Sequence, residues 1–134
     1  MNPTRTNHQT IPNYLVEVQV LSEYLPQSSQ PEESRYAFAY HVHISNRGEI
    51  PAQLLRRHWV ITDGNQRTEE IQGDGVVGEQ PLIQPGQTYQ YSSGAILRTP
   101  VGSMYGTYKM IASDGTAFNA SIRPFTLALP HALH

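Results

Sequence analysis

The chain has 134 residues, no cysteine and a formal net charge of -2. That size is the common one for a single domain, and folding at this length hides roughly two-thirds of the unfolded surface, enough for a core without staples. The missing thiols exclude disulfides and thiolate metal sites, and the charge gives no general pull toward nucleic acid or anionic lipid.

The first residues, MNPTRTNHQTIPN, are polar and lack the apolar stretch of a signal peptide. Residues 1–12 are expected to form a disordered tail, 13–129 the domain, and 130–134 a frayed end. With no apolar run of membrane-spanning length, no membrane insertion is expected, and the cytoplasm is the expected location.

Ten glycines and ten prolines leave few stretches long enough for a helix. Short segments alternating with period two lie between them. Segment 14–21 places Tyr14, Val16, Val18 and Val20 on one face. Segment 26–34 reads as a flexible loop. In 35–46, Tyr36, Phe38, Tyr40, Val42 and Ile44 share one parity, which fits a strand and scatters on a helix. Loop 47–51 then reads as a longer connection joining two strong strands, 35–46 and 53–62. Segment 53–62 is apolar on both parities, as expected of a central strand.

Further strands are predicted at 66–72, 88–97, 104–113 and 117–128. Asp63-Gly64-Asn65 and Asp114-Gly115 carry the chemistry of tight turns, with glycine supplying positive φ. Pro124 inside the last strand predicts a sheet edge or a bulge. Seven short strands with Trp59 in the third predict an all-β fold, a fibronectin-III-like or immunoglobulin-like antiparallel β-sandwich. Tyr89, Tyr91, Tyr105 and Tyr108, with Met104 and Met110, are read mainly as core, with a surface patch as the alternative.

Several motifs bear on chemistry. Gly73-Asp74-Gly75-Val76-Val77-Gly78 spells GxGxxG, but a dinucleotide site needs a buried strand before it and a helix after it. RTEEIQ is too charged for that strand, and EQPLIQPG carries two prolines where the helix would start. Nucleotide or phosphate binding stays open only as a nest of backbone amides. More simply, the glycines build a tight loop with Val76 and Val77 either tucked beneath it or displayed as a docking patch. On the second view, replacing both valines with aspartate abolishes partner capture and spares stability.

His41 and His43 point the same way on a strand, and if 35–46 and 53–62 form a hairpin through 47–51, one register places His58 on the same face. Three imidazoles there could hold a transition metal. The acidic residues Asp63, Glu69, Glu70, Asp74 and Glu79 form an alternative oxygen-donor set for Mg²⁺. No catalytic residues are expected. Glu69 and Glu70 face opposite sides of a strand, and Ser92-Ser93-Gly94 is not a nucleophile elbow. The basic residues form no run with interleaved aromatics, so no nucleic-acid footprint is seen.

The ordered strings GVVGEQPLIQPG and YQYSSGAILRTPVGSMYG, preceded by RYAFAYHVHISN and LLRRHWVITDGN, resemble the ApaG family over about residues 12–129. The signature positions run from Gly73, Gly75, Val76, Val77 and Gly78 through Pro81, Pro85 and Gly86 to Met104 and Gly106. His41, His43 and His58 lie outside it. The resemblance implies a fibronectin-III-like sandwich in a small bacterial protein associated with cobalt and magnesium resistance or efflux. It also implies a domain that, appended to eukaryotic F-box and polymerase-interacting proteins, mediates protein contacts.

The expected function is therefore a non-enzymatic module with no cofactor and an unidentified protein partner, bound through Gly73, Asp74, Gly75, Val76, Val77, Gly78, Glu79 and Pro81. Direct cation binding and nucleotide binding are the alternatives.

Overall fold

The computed structural model describes residues 12–131. Its strands are β1 (Val16–Tyr24), β2 (Tyr36–Asn46), β3 (Ala52–Asp63), β4 (Thr68–Asp74), β5 (Leu82–Ile83), β6 (Thr88–Leu97), β7 (Val101–Ala112) and β8 (Ala117–Ala128). One sheet runs β1-β2-β6; the other runs β4-β3-β7-β8, with β5 alongside the start of β3. All pairings are antiparallel. The two sheets stack as the predicted all-β, fibronectin-III-like sandwich. The loop predicted at 26–34 instead contains two short 3-10 turns, each opened by a proline, Pro26 and Pro31.

The inward face of β2 is the alternation seen in sequence. Phe38, Tyr40, Val42 and Ile44 are all buried. They meet Leu54, Trp59 and Ile61 from β3 and Met104, Tyr108 and Met110 from β7 in one continuous core. Trp59 is its centre, with ring contacts to Tyr40 at 5.3 Å, Phe125 at 5.9 Å and Tyr108 at 6.1 Å. Such pairs add about 0.5–1.5 kcal/mol each beyond the area they bury.

Two bulges re-phase strands that simple alternation would misassign. In β3 the register passes from Leu54↔Met110 to Arg56↔Lys109, leaving Leu55 without its own opposite residue. Leu54 therefore faces inward before the bulge, and Trp59 and Ile61 face inward after it. The two-sided apolar look of 53–62 comes from this shift. In β8, Ile122 pairs Gly106 and Phe125 pairs Met104, so Arg123 and Pro124 together face Tyr105. Pro124 thus sits at a bulge and also on an edge strand, where a missing N–H costs least.

Gly106 lies opposite Trp59 where β3 and β7 press together. A Cβ there would stand 2.0 Å from the carbonyl oxygen of His58, and backbone cannot yield as a side chain can. Gly106→Ala is expected to remove about 3 kcal/mol or more, the magnitude of a severe core defect. A chemical denaturation midpoint within error of wild type would contradict this.

The turn chemistry is met unevenly. Gly115 has φ +89 as expected, but in the 63–67 turn the positive φ falls on Gln66, at +66, and not on Gly64 or Asn65. Asp63 organises that turn instead, its Oδ1 accepting the N–H groups of Asn65 at 2.8 Å and Arg67 at 3.0 Å.

Candidate functional site: the 73–86 loop and its neighbours

The loop leaves β4 at Asp74, whose carboxylate pairs with Arg56 across the ladder. Gly75, at φ +62, donates its N–H to the Leu55 carbonyl at 2.8 Å. Val76 and Glu79 then exchange two backbone hydrogen bonds of 2.8 and 2.9 Å around Val77 and Gly78. Both central residues have positive φ, +43 and +81, the pattern of a type I′ turn, for which Asn-Gly is the preferred sequence.

The two valines part company here. Val76 is fully buried and belongs to the core cluster, whereas Val77 is 57% exposed. The pairing of both in one surface patch is corrected: the isolated Val76–Glu79 bridge turns the first side chain down into the sandwich and lifts the second away. A β-branched residue in left-handed backbone is unfavourable by about 1–2 kcal/mol. Val77→Asn is therefore expected to raise the melting temperature by about 3–6 °C; no change or a fall would show that the turn is unstrained.

The loop is clasped along its length. Arg57 Nη1 donates to the carbonyls of Asp74 and Gly75, both at 3.0 Å. Gln80 Nε2 donates to the Leu55 carbonyl at 2.9 Å, and Gln53 Nε2 to the Gln80 carbonyl at 3.0 Å. Leu54 N–H donates to the Pro81 carbonyl at 3.0 Å. Tyr89 donates its hydroxyl to Glu79 at 2.8 Å. Partial burial, followed by this carboxylate, raises the Tyr89 pKa. Beyond Pro81, Leu82 is 54% exposed and Ile83 is buried. Val77 and Leu82 thus stand as apolar side chains on a rigid loop.

For anion binding the same loop is poorly equipped. The amides of Gly75, Val76 and Glu79 are committed to internal carbonyls, and the loop leads into the two-residue strand β5, not into a helix.

The histidines are not brought together. The hairpin of 35–46 with 53–62 that would bring His58 to the other two does not form, because β2 and β3 belong to different sheets. Their apolar faces pack against each other across the sandwich, Tyr40 on Trp59, so the polar faces point in opposite directions. His41 contacts Ser92 at 2.6 Å and Glu23 at 2.8 Å on one outer surface, and His43 lies on the same strand face. His58 contacts Glu70 at 2.8 Å on the other. The acidic set is also dispersed: Asp63 holds its turn, Glu70 meets His58, Asp74 meets Arg56 and Glu79 meets Tyr89. Among the described residues no three His, Asp or Glu side chains gather into a metal-binding group.

The tyrosine and methionine cluster is mostly core. Met104, Tyr108, Met110 and Tyr91 are buried, while Tyr105 is 45% exposed. The hydroxyls of Tyr91 and Tyr108 bond each other inside the sandwich, and burial pushes both well above the ordinary tyrosine range.

One buried polar residue was not singled out from sequence. Asn46, 1% exposed, donates from Nδ2 to the carbonyls of Ile50 and Ile83, both at 2.9 Å, and accepts the Gly48 N–H at 2.9 Å. It ties the end of β2 to the crossover loop and to β5. The signal was available, since Asn46 continues the parity of Phe38, Tyr40, Val42 and Ile44.

Comparison with known proteins places this geometry. The model of the ApaG domain matches residues 26–112. The chain belongs to the ApaG family. Protein ApaG of Pseudomonas aeruginosa strain LESB58 is 58% identical over 129 residues, covering 96% of this chain and 98% of that protein. Protein ApaG of Aromatoleum aromaticum is 54% identical over 121 residues, 90% and 95% of the two chains. Among solved structures, a Bordetella pertussis protein assigned as ApaA superposes with a TM-score of 0.89 at 46% identity, over 92% of this chain and 100% of that one. The ApaG domain match ends within the sandwich, at the last residue of β7. It contains the whole 73–86 loop. No helix among the described residues is long and apolar enough to cross a membrane.

Proposed function

We propose that this ApaG domain is a non-enzymatic binding module that engages a protein partner through the turn at Gly75–Glu79, with Val77 as the apolar contact and the exposed Leu82 of β5 as a second. The observation that carries this reading is Val77 itself. A β-branched, solvent-facing side chain occupies a strained turn position where asparagine would cost less. Local strain that nothing in the fold requires is a signature of a surface kept for something outside it. The clasped loop supports the same reading, because a pre-ordered surface loses little conformational freedom on binding.

The interaction surface is revised accordingly from the eight residues expected. Val77, Gly78 and Glu79 present the contact; Gly75 and Val76 anchor it; Gly73, Asp74 and Pro81 hold the loop to the sheet. Any link to cobalt and magnesium resistance, as implied by the family resemblance, would then run through the partner's activity.

The test is affinity capture from bacterial lysate with wild type and Val77→Asn side by side. A protein retained by wild type and reduced about tenfold or more by the variant, with the variant's melting temperature higher, is the expected result. Equal capture by both would remove the turn from the interface.

A further inference from the structure

The two sides of the sandwich differ. On one, β1 and β8 approach each other beside a cleft of about 650 Å³ with a more polar lining that includes Glu17, Asn119 and Arg123, and Ser22 Oγ donates to the Thr126 carbonyl at 2.7 Å. On the other, between the free edges of β4 and β6, a cleft of about 630 Å³ opens toward the core. Its apolar walls include Ile71 of β4, Ala95 and Ile96 of β6, and Phe38, with Trp59 beneath. Ile71 and Ile96 are 38% and 50% exposed, so neighbouring apolar side chains face solvent at the mouth. That size suits a small organic ligand.

The polar groups of the cleft are unevenly matched. Trp59 is 2% exposed, and its buried indole N–H has no acceptor among the described residues. Buried donors are ordinarily satisfied, so this one stands out. Arg57 lines the same cleft, two residues along the same strand face. Its guanidinium is steadied by the carbonyls of Asp74 and Gly75 and faces no carboxylate among the described ion pairs. Side chains two apart on a strand share a face and emerge about 6–7 Å from each other, so Arg57 and Trp59 border adjacent stretches of the cleft. At the other end stands Glu69, which pairs with Ile61 while Gly73 pairs with Arg57. An anionic ligand is disfavoured there.

We propose that the cleft between β4 and β6 binds a small monocarboxylate with an aromatic or branched aliphatic body, its carboxylate received by Arg57 and the Trp59 indole N–H and its apolar body lying between Ile71 and Ile96. Excess donors at one end select an acceptor-only group, and the apolar walls select the body. An inorganic anion satisfies the first requirement and not the second.

The chain has a single tryptophan, so its emission and its indole ¹H–¹⁵N resonance report occupancy directly. Titration of the full chain with 3-phenylpropionate is expected to saturate with Kd on the order of 1 mM or tighter, shifting the Trp59 indole resonance downfield. The neutral 3-phenylpropionamide is expected to bind about tenfold or more weakly, as is 3-phenylpropionate to Arg57→Gln. Trp59→Phe deletes the unpaired donor while keeping an aromatic floor; followed by the Ile71 and Ile96 methyl resonances, it is also expected to lose affinity. Thermal melts establish that each variant is folded. An unmoved indole resonance, equal binding of the amide, or full affinity in a folded Arg57→Gln variant would each overturn the assignment.

Discussion

Val76→Asp is expected to unfold the domain, while Val77→Asp one residue later is expected to leave it standing. Val76 has no exposed surface and sits in the common core with Trp59 and Ile83. An unpaired carboxylate there is charged at the expense of its hydration or is held protonated, and either route costs about 4 kcal/mol or more. A domain of this size has only about 5–15 kcal/mol in total. At Val77 the side chain is solvated, and aspartate tolerates left-handed backbone better than valine does. Circular-dichroism melts of the two single variants check this. The prediction fails if Val76→Asp melts near wild type or if both variants collapse together.

The second large effect is expected at Asn46. Asn46→Leu keeps the volume and removes three hydrogen bonds, leaving the Ile50 and Ile83 carbonyls and the Gly48 N–H without their partner. Each orphaned buried group costs about 1–3 kcal/mol, so the three together cost about 3–9 kcal/mol. Asn46→Asp refines the point. It keeps an acceptor for Gly48 but aims a carboxylate oxygen at two carbonyls, which raises its folded pKa above the ordinary value of about 3.9. Relative to wild type, its stability deficit should therefore be smallest below about pH 4 and should grow as pH rises through that raised pKa. Urea midpoints for wild type and variant at two pH values measure it; a pH-independent difference would show that the Nδ2 contacts carry little.

These two sites show what could be read from sequence and what could not. The alternation from Tyr36 to Ile44 specified a strand and its inward face, because period-two burial depends only on backbone geometry. Asn46 lay on that same parity, so a polar residue at a core position was visible, although its three partners were not. The valines could not be separated, since their fates depend on one turn that points the first inward and the second out. Leu54 and Leu55 were equally opaque. A bulge adds a residue to one strand in response to its neighbour and leaves no periodic trace of its own. Pro124 was legible because proline's missing donor makes the same demand in any context.

The hairpin of 35–46 with 53–62, the condition for gathering His41, His43 and His58, does not form. A five-residue connection suits a hairpin, yet 47–51 carries the chain from one sheet to the other. The apolar faces of the two strands meet across the sandwich, with Tyr40 on Trp59 at 5.3 Å. The histidine cluster depended on the hairpin and dissolves with it. The cleft beside β4 and β6 had no sequence counterpart, because it exists only where two edges face each other.

The binding surface is tested most directly by placing a photo-crosslinking amino acid at position 77 in living bacteria, with position 21 as the control. Leu21 is 72% exposed on β1, in the other sheet, so it samples collisions without belonging to the turn. A discrete crosslinked protein band from position 77 that is absent from position 21 is the predicted result. No band at 77, or the same bands at both positions, would contradict a docking role for the Gly75–Glu79 turn.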